Sequence, residues 1–211
     1  MQVKKRDGTL EPLDIDKLHK VVMYACEGIT GVSASQVEIN SKIQFFESMP
    51  TQDIQETLIK SAADLISEEN PNYQYVAGRL INYHLRKMVY NTFTPPCLCD
   101  VIDDNINAGM YDKEFTELYT KDEINQLNIY IKHDRDEVLT YAAMEQFRGK
   151  YLVQNRATGE IYETPQVAYV MIAASLFSKY PTETRLQTVK DYYDAISTFK
   201  ISLPTPIMAG V

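Results

Sequence analysis

The sequence contains no tryptophan and only three cysteines among its 211 residues. Three cysteines are too few for a disulfide framework, and they lack the paired Cys-x-x-Cys spacing of a zinc site. We therefore expect free thiols in a reducing, cytoplasmic compartment. The Cys97-Leu98-Cys99 run is also compatible with redox activity, but no further sulfur or histidine cluster supports that interpretation.

Long apolar runs and positive charge are also scarce. No uninterrupted apolar stretch reaches the ~18 residues that suggest a membrane-spanning helix, so no membrane partner is expected. Lysine and arginine number 21 against 29 acidic residues, for a net charge of −8. Because duplex binding depends on neutralising phosphates, this balance argues against direct nucleic-acid binding. The 45% hydrophobic content is typical of a globular chain.

The first ninety residues show the pattern of a hairpin followed by helices. Alternating residues around Asp7-Gly8 predict a β-hairpin, since this dipeptide suits the positive φ values of a tight turn. Capping residues and apolar residues at helical spacing then predict four helices. Their expected starts are Asp14 or Asp16, Ser33 or Ser35, Pro50-Thr51, and Asn70-Pro71.

The remainder of the chain is predicted to be mostly helical. After a hinge at residues 92–96, helices are expected near 100–108, 121–131 and 134–147, with a second hairpin within 150–163. Two further helices begin at Thr164-Pro165 and Pro181, and residues 201–206 are expected to be an extended strand. The predicted fold class is mainly α with small β-hairpins, divided into domains 1–91, 92–196 and 197–211.

A basic cluster gives the first functional signal. Lys4, Lys5 and Arg6 lie on the first hairpin, Lys17 opens the first helix, and Lys87 lies late in the fourth. Cations beside a helix N-terminus suit a polyphosphate, because the free N–H groups of the helix end also favour anions. Taken alone, the same cluster also fits an ordinary solvated surface.

The arrangement of these residues resembles the ATP cone, a small nucleotide-binding module. The similarity rests on Val3-x-Lys5-Arg6-Asp7-Gly8-x-x-Glu11 followed by Asp14-x-x-Lys17-Leu18. The resemblance implies a hairpin over four helices across residues 1–91. It also implies an overall-activity site, at which ATP permits turnover and dATP commonly stops it.

Later segments resemble the large subunit of class I ribonucleoside-diphosphate reductases. The similar runs include Leu85-Arg86-Lys87, Thr158-Gly159-Glu160-Ile161-Tyr162-Glu163 and Ile201-Ser202-Leu203-Pro204-Thr205-Pro206. In that family the last run opens the catalytic α/β barrel, so residues 197–211 would supply the first strand of an incomplete barrel. The similarity extends over essentially the whole chain.

The resemblance also implies site residues. Thr205 would contact the ribonucleoside diphosphate substrate, and this chain is expected to hold neither a metal nor a catalytic residue. The residues expected to bind ATP or dATP are Lys5, Arg6, Glu11, Pro12, Leu13, Asp14, Ile15, Asp16, Lys17, Thr51 and Lys87.

The sequence departs from the family at several positions. Asp14 stands where several bacterial members have Asn, and Gln55 replaces a His near the phosphates, so inhibition by dATP is left open. Cys97 and Cys99 occupy positions where relatives usually carry other residue types. The family's catalytic cysteines lie beyond the start of the barrel, and no cysteine follows Cys99.

These features predict a component of a larger enzyme. The expected partners are the C-terminal remainder of the large subunit, a radical-generating small subunit, ATP and the substrate. Either a naturally split subunit or a truncated form of a longer protein would fit, and the uncovered apolar end favours a partner. Two alternatives are a free-standing ATP-sensing regulatory module and a nucleic-acid-binding repressor. The repressor is the weaker alternative because the chain lacks a cysteine-rich zinc ribbon.

Overall fold

The computed structural model describes residues 1–5, 8–42 and 44–209. The fold divides into two compact units. Unit 1 comprises Met1–His84 together with Glu137–Glu145, and unit 2 comprises Leu85–Asp136 together with Gln146–Val211. Helices dominate both units and the sheets are small, which confirms the predicted fold class. The three predicted domains are not tested by this division and stay a prediction.

A three-stranded sheet forms one side of unit 1. Strand β1 (Gln2–Lys4) pairs antiparallel with β2 (Leu10–Pro12), which confirms the predicted hairpin. Its turn residue Asp7 lies outside the described residues. Strand β3 (Met49–Pro50) pairs parallel with β1, so the strand order is β2-β1-β3. The sequence reading did not predict β3.

Helices cover the apolar face of this sheet. Along unit 1 they are α1 (Ile15–Cys26), α2 (Ala34–Lys42), α3 (Thr51–Ala63) and α4 (Tyr73–Tyr90), and the last continues into unit 2. Their buried residues recur at helical spacing, as in Leu18, Val21, Val22 and Ala25 of α1. The prediction that α4 begins at Asn70-Pro71 was wrong by two to three residues, because Pro71 and Asn72 form a turn.

Unit 1 is completed by a segment distant in sequence. Arg79 of α4 donates hydrogen bonds to the Glu27 carbonyl at 2.6 Å and to the Glu137 carbonyl at 3.2 Å. The Tyr24 hydroxyl donates to the Glu137 carboxylate at 3.3 Å. These bonds attach Glu137–Glu145 to α1 and α4.

Unit 2 contains the remaining helices and a second hairpin. Its hairpin pairs β4 (Gln154–Asn155) with β5 (Glu160–Ile161), as predicted for this region. Helix α9 is buried on almost every side and packs against α10. The helices wholly within this unit are α5 (Leu98–Asn107), α6 (Glu114–Leu118), α7 (Lys121–Tyr130), α9 (Pro165–Leu176), α10 (Thr182–Ser197) and α11 (Thr205–Met208). Helix α8 (Tyr141–Gln146) lies almost entirely in unit 1.

The single helix predicted over 134–147 was wrong. A 3₁₀ helix over His133–Val138 precedes α8, and a π-helical segment over Phe147–Tyr151 follows it. Side-chain contacts explain the break. Arg86 holds the His133 carbonyl at 2.7 Å, and the Thr140 hydroxyl accepts from the Ala143 amide at 3.3 Å as α8 begins.

The strand expected over 201–206 is not formed in the described part of the chain. Residues 201–204 are irregular, and Thr205 begins the short helix α11. Pro206 stands in the first turn of α11, where a fixed φ and a missing N–H favour a helix start over a strand. The sheets formed by the described residues do not include this segment, so it has no ladder hydrogen bonds.

Candidate functional site

The pleat of β1 places Lys4 and the following Lys5 on opposite faces of the sheet. Val3 and its neighbour Met49 on β3 are 2% and 4% exposed, so they mark the face of the sheet that packs on the helices. Side chains alternate along a strand, which places Lys5 on the Val3 side and Lys4 on the solvent side. Lys4 is exposed and Lys5 is half-buried, as that alternation requires.

Lys5 has an acidic partner on β2. Val3 lies opposite Glu11 in the register, so Glu11 shares the inner face. The Lys5 ammonium is 2.9 Å from the Glu11 carboxylate, and the two side chains are 35% and 42% exposed. Because water reaches both groups, the pair is weak and can be exchanged for a ligand at small cost. The structure therefore brings together two of the expected site residues.

Thr51 lies next to Lys5 because of β3. Lys4 pairs with Pro50, so the parallel register places Thr51 beside Lys5 at the hairpin end of the sheet. Thr51 is also the first residue of α3, and Pro50 at the N-cap provides no side-chain cap. The first N–H groups of a helix have no intrahelical acceptor. The positive end of α3 therefore lies uncapped beside a lysine, which is an arrangement suited to phosphate.

Gln55 lies one turn beyond Thr51 on the same face of α3. Its side-chain oxygen is buried, and no described residue forms a hydrogen bond with it. Buried polar atoms without partners are rare and mark places where a ligand or water completes the bonding. The sequence analysis placed Gln55 near the phosphates as a weakened contact in place of a His, but did not include it among the expected site residues.

The start of α1 lies at the opposite end of the sheet. The Leu13 amide donates to the Met1 carbonyl at 3.0 Å, which places Asp14 beyond the N-terminal end of β1. The Asp14 carboxylate accepts from the Lys17 amide at 2.9 Å and caps α1. A strand of three residues spans roughly 10 Å, so the starts of α1 and α3 are separated by about that length.

The two helix starts differ in charge. The Asp14 carboxylate already occupies the positive end of α1, and Asp16 adds a second negative charge in the first turn. The first turn of α3 carries Asp53 but has no cap. Phosphates are therefore favoured at α3, while the α1 end offers the Lys17 side chain and the exposed Ile15. Pro12 and Leu13 lie between Glu11 on β2 and the start of α1.

The other three expected site residues are Arg6, Lys87 and Thr205. Arg6 lies outside the described residues. Lys87 is in the last turn of α4, within unit 2. Thr205 is the exposed first residue of α11, also in unit 2. Their expected roles stay predictions.

Charged side chains inside unit 2 are paired with each other. Arg185 of α10 binds the Glu123 carboxylate through contacts of 2.6, 2.7 and 2.9 Å. Burial raises the pKa of Glu123, but hydrogen bonds from Arg185 and Thr120 outweigh it and lower the pKa below its usual value. Thr120 and Glu123 also form a capping box at the start of α7. This cluster stabilises the unit and leaves no open charge for a ligand.

A second buried network surrounds Asp136. Arg86 donates to its carboxylate at 3.3 Å and Gln166 donates at 2.9 Å, while the Tyr193 hydroxyl donates to Gln166 at 2.7 Å. Burial raises the pKa of Asp136 to about 6 against the opposing effect of Arg86. Burial and the Arg86 charge lower the pKa of His133 to about 4. The network joins α4, α9 and α10 within unit 2.

Unit 2 also contains a cavity of about 170 Å³. Phe115, Met171 and Met208 contribute apolar lining, and the Tyr111 hydroxyl donates to the buried Glu163 carboxylate at one wall. The Val153 amide donates to the same carboxylate at 2.9 Å. Since these polar groups satisfy each other, the cavity is a weaker candidate site than the sheet end of unit 1.

The described residues form neither a metal centre nor a membrane-spanning helix. Residues 1–5, 8–42 and 44–209 contain no group of three or more His, Cys, Asp or Glu side chains placed to hold a metal ion. Within the same ranges, no helix combines the length and apolarity needed to cross a membrane.

Comparison with known proteins gives two family matches. Residues 1–88 match the ATP cone domain, and residues 137–211 match the all-alpha domain of ribonucleotide reductase. Both domains were expected from the resemblance described above. Unit 1, with its sheet and capped helix α1, contains almost all of the first match.

Individual relatives agree with the family matches. The chain is 56% identical over 209 residues to ribonucleoside-diphosphate reductase 1 subunit alpha of Escherichia coli, covering 99% of this chain and 28% of the relative. It is 55% identical over 211 residues to ribonucleoside-diphosphate reductase subunit alpha of Haemophilus influenzae, covering 100% of this chain and 28% of the relative. The chain thus spans little more than a quarter of the length of these relatives. With its ATP cone and its all-alpha domain, the chain belongs to the family of ribonucleotide reductase large (alpha) subunits.

Proposed function

We propose that unit 1 binds ATP and dATP as the overall-activity site of an aerobic ribonucleoside-diphosphate reductase. The observation that carries this proposal is the uncapped N-terminus of α3 beside Lys5. Backbone N–H groups, a hydroxyl from Thr51 and one lysine converge there on one end of the sheet. That combination fits a polyphosphate better than any cluster elsewhere in the described residues.

The geometry favours one orientation of the nucleotide. The phosphates lie toward Lys5 and Thr51, where the Lys5 ammonium leaves Glu11 for the ligand. Glu11 is then available to accept hydrogen bonds from the ribose hydroxyls. The segment from Pro12 to Asp16 lies toward the nucleoside, with Ile15 as an exposed apolar contact. The family resemblance implies that the Lys17 side chain adds charge to the phosphates from the α1 end.

Gln55 should weaken the contact to the phosphates of ATP and dATP alike. Its amide is neutral where relatives carry a histidine, so one cationic phosphate contact is replaced by a weaker hydrogen bond. We expect ATP and dATP to bind with similar affinities, and dATP to be a weak inhibitor. Titration calorimetry with each nucleotide tests this expectation, and a dATP affinity more than about tenfold above that of ATP would contradict it.

The reduction is proposed to need a further part of the large subunit. The cysteines that perform radical chemistry in the family have no counterpart after Cys99. We propose that the chain acts in the cytoplasm together with the C-terminal part of a large subunit and a radical-generating small subunit. The complex would reduce ribonucleoside diphosphates to deoxyribonucleotides for DNA synthesis. Thr205 of α11 would contact the substrate diphosphate.

Reconstitution separates this function from a free-standing regulatory module. The chain, the remaining large-subunit part and the small subunit are mixed, and deoxyribonucleoside diphosphate is measured with each component omitted in turn. We expect product only from the complete mixture. If the mixture is equally active without this chain while the chain still binds ATP, the regulatory module is correct and the reductase role is wrong.

A further inference from the structure

The end of helix α10 places an aromatic residue in a strained backbone conformation. Phe199 follows the C-cap residue Thr198 and has a φ of 60°. Its amide donates to the Ile196 carbonyl at 3.1 Å, and the next two amides donate to the Ala195 carbonyl at 2.9 and 3.2 Å. Glycine is the usual residue just beyond such a helix end, because a Cβ atom is strained in the left-handed region. The sequence instead has a bulky side chain there.

Neither the residue type nor burial accounts for this conformation of Phe199. The other described non-glycine residues with positive φ are Ser48 and Asn91, whose small polar side chains suit that region better than an aromatic ring does. Phe199 is 57% exposed, and Ile201, two residues further along, is 45% exposed. Packing within the described part of the chain therefore does little to offset the backbone strain.

Hydrogen bonds hold the end of α10 in a fixed position. The Thr198 hydroxyl donates to the Asp194 carbonyl at 2.5 Å. The Arg135 guanidinium donates to the Asp194 carboxylate at 2.7 Å and to the Ser197 hydroxyl at 2.5 Å. A side chain on a fixed backbone loses less conformational freedom when it binds a partner. Phe199 is thus an exposed aromatic side chain that is already ordered for binding.

We propose that Phe199 and Ile201 anchor this chain to an apolar surface of the C-terminal part of the large subunit. This inference rests on the function proposed above, in which the two parts form one enzyme. The segment shared with the relatives is the N-terminal 28% of their length, and the all-alpha match extends to residue 211. In the relatives, the rest of the polypeptide therefore begins about a dozen residues beyond the position of Phe199.

The size of this apolar patch favours the same partner over a second copy of the chain. A stable interface usually buries at least ~1,200 Å², and two side chains supply only a fraction of that area. They suit a small part of a larger interface, in which a few aromatic residues provide much of the affinity. Burial of the Phe199 ring should strengthen binding roughly tenfold to a hundredfold.

Three variants at position 199 test the proposal. Phe199→Ala removes the ring, Phe199→Gly also removes the Cβ atom, and Phe199→Tyr keeps a ring. Titration calorimetry measures the binding of each variant to the C-terminal large-subunit part used for reconstitution. We expect the Ala and Gly variants to bind roughly tenfold to a hundredfold more weakly than the native chain, and the Tyr variant to bind as the native chain does.

Thermal unfolding of the chain alone tests the strain separately. Phe199→Gly should unfold about 2–4 °C above Phe199→Ala, because both lack the ring and only glycine relieves the left-handed backbone. An Ala variant at least as stable as the Gly variant would remove the strain from the argument and overturn the proposal.

Tyr180→Ala is the matched control for binding. Tyr180 is a 49% exposed aromatic residue of the same unit, but its ring already contacts Phe177 edge-on, with 5.0 Å between ring centroids. Its removal should leave the affinity unchanged. Native affinity in both Phe199→Ala and Phe199→Gly would overturn the anchor and leave the proposed partnership intact.

Two other outcomes would also overturn the inference. If the native chain does not bind the C-terminal part at all, the proposed partnership fails together with the anchor. If sedimentation velocity shows that the native chain associates with itself and that Phe199→Ala abolishes this association, the patch belongs to a contact between two copies.

Discussion

The two units use charged side chains in opposite ways. In unit 1 the Lys5–Glu11 pair is half-exposed and lies beside a helix end without a side-chain cap. In unit 2 the Arg185–Glu123 pair has both side chains only 10% exposed, and every carboxylate oxygen is bonded. The difference indicates where a ligand can bind. Open, weakly paired charges are available to phosphate, whereas buried and fully paired charges fix helices to each other.

The largest expected effect is the loss of the buried pair in unit 2. Arg185→Ala leaves Glu123 buried without its partner, which should lower the free energy of unfolding by about 3–5 kcal/mol. Urea unfolding followed by circular dichroism measures it. The control is Lys190→Ala on the same helix, since the Lys190–Asp194 pair is exposed and its loss should lower stability far less. Equal losses in both variants would remove the distinction between the two kinds of pair.

The next effect concerns the open charges of unit 1. Lys17→Ala should weaken ATP binding by about 1.5–3 kcal/mol, because a charge-assisted contact to phosphate is lost while the fold is retained. Lys87→Ala tests the separate prediction for Lys87, which lies in unit 2. Titration calorimetry measures both, and unchanged affinities in the two variants would refute their assignment to the phosphates.

The pH dependence of unit 2 gives an effect of similar size. His133 has a pKa lowered to about 4, so the unfolded chain binds its proton first as pH falls below 6.5. Its contribution to stability is therefore lost between pH 6.5 and 4. His133→Gln removes this loss. On going from pH 7.5 to pH 4.5, the free energy of unfolding of the variant should therefore fall by on the order of 2 kcal/mol less than that of the native chain.

Asp136 should act in the opposite sense. Because the pKa of Asp136 is raised, the folded chain keeps this proton to a higher pH than the unfolded chain does. The free energy of unfolding therefore falls as the pH rises from about 4 to about 6. Asp136→Asn should therefore steepen the acid destabilisation due to His133. Urea midpoints at several pH values check both variants, and parallel curves for all three proteins would contradict the account.

The smallest effect distinguishes cap from charge at the start of α1. Asp14→Ala removes the bond to the Lys17 amide and should lower stability by about 1 kcal/mol. Asp14→Asn retains an equivalent cap, so stability should hold while ATP affinity rises slightly with the loss of a negative charge. Thermal unfolding and calorimetry of the two variants check this, and equal destabilisation by Asn and Ala would show that the charge, not the cap, matters.

Helices with a regular apolar stripe could be predicted from the sequence, and the hairpin at β1 and β2 followed from alternation. The two-residue strand β3 could not, since a parallel pair of that length has no local pattern. The attachment of Glu137–Glu145 to unit 1 depends on Arg79 and Tyr24, which are remote in sequence. The sequence around Thr205 predicts a strand. Pro206 nevertheless suits the first turn of a helix, and the described residues provide no strand with which this segment could pair.

The candidate site of unit 1 likewise combines features that the sequence predicts with features that it does not. Alternation along β1 predicts that Lys5 and Val3 share a face, and the structure agrees. The proximity of Thr51 to Lys5 depends on β3, so only the family resemblance could suggest it. The buried oxygen of Gln55 has no sequence signal beyond its spacing of four residues from Thr51.

Hydrogen–deuterium exchange of the chain with and without saturating ATP tests the central claim most directly. If phosphate binds at the uncapped start of α3, exchange at residues 51–55 should slow on adding ATP, and Lys5→Ala should reduce that protection while Lys4→Ala leaves it unchanged. Unchanged exchange at residues 51–55 under conditions where calorimetry detects bound ATP would place the nucleotide elsewhere and contradict the account.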